Sequence, residues 1–165
     1  MLRKASIEQD AIITEQDATK LRNASIELDT IISEQNPAKL QDFLKRIQEL
    51  LKPNRPYGEY WPMLDRALTR IMRLQLSYMA LVFLNEQTPF STLVLKAVLS
   101  HAHKVLDACF DHADPAVAEN INQIMIGDLP VLHFAASEGS LDVVRVLLTN
   151  MRLDINLKDA TGRTA

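Results

Sequence analysis

The side chains best equipped for chemistry lie between residues 101 and 112. His101, His103 and His112 stand there with Asp107, Cys109 and Asp111, all types that ligate metal ions. Spacing argues against a shared ion. Read as one helix, His101 and His112 would lie about 16 Å apart at roughly 1.5 Å per residue, too far to hold one metal. His103 and Asp107, four residues apart, would supply half a site with nothing beside them to complete it. These histidines therefore read as partly exposed helix residues. Cys109 is the only cysteine, which excludes an intramolecular disulfide framework. With no base beside it in sequence, it reads as a small buried hydrophobe. Arg66, Arg70 and Arg73 recur at helical spacing and read as a solvated face, an acidic partner being the sharper alternative. The sequence carries no phosphate-binding glycine loop, zinc-ligand spacing or G-x-S-x-G elbow. No cofactor, no metal and no catalytic activity are expected.

Helices must position these residues. The 165 residues are 47% hydrophobic and 24% charged, with four glycines and a 5% aromatic share. That balance, rich in Leu, Ala, Ile, Gln and Glu, predicts a nearly all-helical chain. The net charge of −3 argues against a nucleic-acid partner, which needs a concentrated basic face. No apolar run reaches the roughly 18 residues of a membrane span, and the acidic, interrupted start is unlike a secretory signal. A cytoplasmic protein is the expectation.

A tandem copy opens the chain. Leu2-Arg3-x-Ala5-Ser6-Ile7-Glu8 returns nineteen residues later as Leu21-Arg22-x-Ala24-Ser25-Ile26-Glu27, and Ile12-Ile13 returns as Ile31-Ile32. Nineteen residues do not close on whole helical turns. The spacing therefore predicts a bend near Ala18–Asn23, or one copy loosely docked. The stretch 1–35 reads as a duplicated helix frayed at its start, with self-association through this arm as the alternative. Asn36-Pro37 is a helix start, Asn as cap and Pro in the first turn. Leu40, Phe43, Leu44, Ile47, Leu50 and Leu51 form one face before Lys52-Pro53 ends the helix, with a loop over 54–58. Tyr60 to Leu84 reads as one buried helix or two. Trp61, with Tyr57 and Tyr60, reads as a contact patch or as packing between helices. Asn85 to Pro89 reads as a turn.

The most specific stretch is Gly127 to Ala165. Leu129-Pro130-Val131-Leu132-His133-Phe134-Ala135-Ala136 resembles the opening of an ankyrin repeat, whose signature is T-P-L-H-x-A. The family's order continues: Gly139 as a tight turn, Val143, Val144, Leu147 and Leu148 as a second apolar helix, then Asp159-Ala160-Thr161-Gly162-Arg163 as turn residues. Pro130 is expected in the first helical turn. Thirty-eight residues earlier, Thr92–Ala97 aligns with Pro130–Ala135, and Cys109-Phe110 with Leu147-Leu148. Thr88-Pro89 is a rival anchor, and a short helix starting at Asp114-Pro115 would hold the surplus. The family's glycine after the second helix is missing, leaving Asn150 and a looser helix end.

The chain reads as all-α: a helical N-terminal region of helix hairpins, to which the resemblance does not extend, leading into what the resemblance implies is an ankyrin-repeat solenoid open at its C-terminal end. The divisions are 1–35 (the duplicated arm), 36–87 (the helical N-terminal region), 88–126 (degenerate or capping ankyrin-like helices) and 127–165 (one repeat and the start of the next). The resemblance further implies a protein-interaction scaffold, the N-terminal part of a longer chain. A catalytic or regulatory helical domain over 36–126 is the rival. The family's exposed positions, carried over one by one, nominate Asp128, Ser137, Glu138, Asn150, Ala160, Thr161 and Arg163 as partner-binding. His133 is expected to hydrogen-bond backbone between repeats.

Overall fold

The computed structural model describes residues 15–50, 60–85, 89–113, 119–149 and 153–165. The protein is mostly helical. Its elements are α1 (Glu15–Glu34), α2 (Pro37–Leu50), α3 (Trp61–Arg73), α4 (Ser77–Asn85), α5 (Phe90–Leu99), α6 (His103–His112), β1 (Met125–Ile126), β2 (Leu129–Pro130), α7 (Val131–Ser137) and α8 (Leu141–Thr149), with a 3-10 turn at Glu119–Gln123. Most of the first copy of the duplication, the loop over 54–58, the Asp114-Pro115 start and the close of α8 at Asn150 lie outside the described residues.

Among the described residues the helices pair as four hairpins, and one device closes all four. Gln35, Gln75, His101 and Gly139 each adopt a left-handed backbone, with φ of 51°, 55°, 52° and 67°. At each, the left-handed residue donates its N–H to the carbonyl three residues back, and the next residue donates to the carbonyl five back. The pairs are Gln35 to Ile32 and Asn36 to Ile31, Gln75 to Met72 and Leu76 to Ile71, His101 to Val98 and Ala102 to Ala97, and Gly139 to Ala136 and Ser140 to Ala135. This double bond satisfies carbonyls that a helix end would otherwise leave unpaired.

One open alternative is resolved here and two expectations change. Tyr60 to Leu84 is two helices, broken at Leu74–Leu76. His101 is not a helix residue but the left-handed link between α5 and α6. No bend falls at Ala18–Asn23, because α1 runs unbroken through it. The reason is that α1 packs along both α2 and α3, so its stripe need serve only the second copy of the duplication. That stripe is Leu28, Ile31 and Ile32, all buried. Asn36 caps α2 as its type predicts, its Oδ1 accepting the Lys39 N–H at 3.1 Å.

The hairpins range in order. First helices pack on first helices (α1 on α3, α3 on α5, α5 on α7), and second on second (α2 on α4, α4 on α6, α6 on α8). Counting from each left-handed residue, equivalent positions share one fate. Four residues before it come Ile31, Ile71, Ala97 and Ala135; eight after it come Phe43, Phe83, Cys109 and Leu147. All eight are buried in one continuous core. His101 and Gly139 stand 38 residues apart, whereas the caps before α5 and α7 are Pro89 and Pro130. Because α5 is one turn longer than α7, the two helix ends follow one spacing and the two helix starts another. Pro130 caps α7 from outside instead of sitting in its first turn.

Candidate protein-binding surface

The six nominated residues that are described belong to two turns and one helix end. The first turn is the tip of the β1–β2 hairpin, where Ile126 pairs with Leu129 and Met125 with Pro130. Gly127, with φ of 61°, takes the first position of this two-residue turn, the geometry that suits the twist of paired strands. Asp128 follows it, exposed and without hydrogen bond or ion pair among the described residues. The strands themselves were not foreseen, since two-residue strands leave no alternation to read.

The second turn, 159–163, is built around a carboxylate. Asp159 Oδ1 accepts the N–H of Thr161 at 2.8 Å, the Thr161 hydroxyl at 2.7 Å and the N–H of Arg163 at 2.9 Å. Arg163 Nε donates to Oδ2 at 3.0 Å. The backbone N–H of Arg163, then the Thr161 hydroxyl, hold this carboxyl well below the usual carboxylate range. His133 ties the turn to α7, its Nε2–H donating to the Arg163 carbonyl at 2.8 Å. The imidazole thus bonds backbone thirty residues on, and its buried Nδ1 is left without a partner among the described residues.

These contacts sort the nominated side chains. Asp128, Glu138 and Ala160 are exposed and uncommitted, whereas Thr161 and Arg163 are tied to Asp159, although Arg163 stays exposed. Ser137 donates to the Phe134 carbonyl at 2.8 Å within its own helix. Asn150 lies outside the described residues. The set does not form one cluster: Asp128 lies before α7 and Glu138 just after it, with about 10 Å of helix between them at roughly 1.5 Å per residue.

The residues first considered for chemistry scatter. Among the described residues no three of His, Cys, Asp or Glu come close enough to hold a metal ion. Cys109 is buried in the packed face of α6, and burial pushes its thiol up to about 12. It is inert at neutral pH. His101 Nδ1 and the Ser140 hydroxyl hydrogen-bond across neighbouring hairpin links. Gln75 reaches along the same edge, its Oε1 accepting the Lys104 N–H at 3.0 Å. These groups fasten one hairpin to the next. Tyr60 is buried and Trp61 half-buried, so packing accounts for both; Tyr57 lies outside the described residues.

A further surface is the outer face of the first helices, whose Arg66, Arg70 and Arg73 the sequence left as a solvated face or, alternatively, as a site for an acidic partner. Asp29 on α1 pairs with Arg70 on α3 at 2.8 Å, and Asp65 on α3 pairs with Lys96 on α5 at 2.6 Å. These bridges range the three helices with their exposed stripes on one side. Ile26, Arg66, Arg73 and Leu99 are exposed among them. The signal in the sequence was the Arg66-Arg70-Arg73 spacing, which cannot show what stands on either side. Among the described residues no helix is long and apolar enough to cross a membrane. No family model matches the chain, and neither curated proteins nor solved structures give a match.

Proposed function

We propose that the chain is a non-catalytic protein-interaction module of the ankyrin-repeat type, its hairpins forming a solenoid that presents turns and the first-helix face to a partner. The observation that carries this is the repetition of one closure at Gln35, Gln75, His101 and Gly139, with like helices ranged on like. A chain assembled from such units gains a rigid, extended surface whose side chains vary without disturbing the core. The signature around His133 supports the family, because its imidazole bonds the carbonyl of Arg163 in the following turn.

The test is capture of proteins by the wild type and by Asp128→Lys/Glu138→Lys, followed by identification of what is retained. Arg163 is left alone because it holds Asp159 in place. The double reversal should lose bound protein while melting at the same temperature. Identical capture by both proteins would overturn the assignment of these positions.

A further inference from the structure

The geometry points to an acidic protein segment as the partner of the first-helix face, docking on Arg22, Arg66 and Arg73. This rests on the reading of the chain as a protein-binding module and adds the chemistry of what it binds. Among the described residues the arginines with no hydrogen bond or ion pair are Arg22, Arg66, Arg73 and Arg145, and the first three share this face. Its two acids, Asp29 and Asp65, are already neutralised by Arg70 and Lys96. Three guanidinium groups without a partner among the described residues therefore lie exposed on neighbouring α1 and α3, on a chain whose net charge is −3.

Arg66 and Arg73 lie about 10 Å apart along α3, and the Asp29–Arg70 pair sets Arg22 about one turn before Arg66 on the neighbouring α1, about 9 Å away between axes. Carboxylates seven residues apart on a partner helix span the same distance. Ile26, 59% exposed, and Leu99, 47% exposed, flank the arginines and would receive apolar side chains of that segment. Interleaved cations and aliphatics suit an amphipathic acidic helix better than nucleic acid, whose closely spaced phosphates call for contiguous cations. Guanidinium groups also suit carboxylates in particular, because they bind them through paired hydrogen bonds.

The experiment is fluorescence anisotropy with a labelled amphipathic peptide carrying Glu at seven-residue intervals and Leu between them. A lysine-for-glutamate version and a single-stranded oligonucleotide serve as comparison probes. The Glu peptide should bind the wild type, weaken with added salt, and lose at least tenfold in affinity with Arg66→Glu/Arg73→Glu. Arg145→Glu, on α8 away from this face, should bind as the wild type does. Should the double reversal fail to fold, Arg66→Gln/Arg73→Gln must still lose affinity by severalfold. Unchanged peptide binding by the folded double variant, or tighter binding of the oligonucleotide or the lysine peptide, would overturn the inference. Protein capture by wild type and Asp128→Lys/Glu138→Lys is measured in parallel. If that pair loses capture while the arginine pair leaves peptide binding intact, the module reading stands and the acidic partner falls.

Discussion

The first and last hairpins share one closure and differ in what they turn outward. In the α1–α2 hairpin, Leu40 and Leu44 are fully buried, and the exposed side carries ion pairs between Lys39 and Glu34 and between Arg46 and Glu27. In the α7–α8 hairpin the equivalent positions are Val144, half-buried, and Leu148, 52% exposed. Ala136 is likewise exposed, where Ile32, Met72 and Val98 at the same position are buried. Leu141 adds to this stripe at 61% exposure. An end unit needs one apolar face and a polar one, whereas an interior unit needs two apolar faces. The first hairpin turns a polar side outward, and the last leaves an apolar stripe exposed.

Leucine at one equivalent position in both hairpins makes this difference measurable. Leu44→Ala should cost about 2–5 kcal/mol in denaturant unfolding, while Leu148→Ala should cost less than about 1 kcal/mol. Equal costs would mean that the two positions are not equivalent in packing. The links should respond in opposite directions. Gly139→Ala has open space for its Cβ but must hold a left-handed backbone, so it should lose about 1–2 kcal/mol. Gln35→Gly removes that same strain at the first link and should gain up to about 1 kcal/mol, less the extra entropy lost on ordering a glycine. A loss of stability for Gln35→Gly would show that its side chain contributes more than its backbone costs.

Acid sharpens the comparison next, because the turn that follows the last hairpin depends on the Asp159 carboxylate. Its folded pKa is depressed, so its contribution is complete above the unfolded value and drains away as pH falls towards the folded one. Melting temperature measured from about pH 5 to pH 2 should therefore fall less steeply for Asp159→Asn than for the wild type. Parallel curves would remove the carboxylate from the account of this turn. The smallest effect belongs to the first hairpin: a double-mutant cycle on Glu27 and Arg46 should give about 0.2–1 kcal/mol, as for exposed pairs in general. The stacking of Arg46 over the Phe43 ring, 5.7 Å from its centroid, cancels from this cycle, so a coupling above that range would belong to the ion pair itself.

What could be read from the residues alone was local. The cap at Asn36, the apolar face Leu40-Phe43-Leu44-Ile47 and the turn at Gly139 follow from rules that operate within a few residues, and each has its counterpart in the structure. The links at Gln75 and His101 were illegible because neither residue type favours a left-handed backbone; packing of α3 on α4 and α5 on α6 imposes it, and the paired hydrogen bonds offset its cost. The same limit applied to the surface. Asp128 and Glu138 could be nominated by position, but the commitment of Thr161 and Arg163 to Asp159 depends on how the turn closes.

Helix faces, caps and the glycine turn were thus written in the sequence, because neighbouring residues decide them. The order in which hairpins range, and the gathering of Arg22 with Arg66 and Arg73, came only with tertiary structure. Bringing together side chains more than forty residues apart requires α1 to lie against α3, and no pattern within either helix contains that contact.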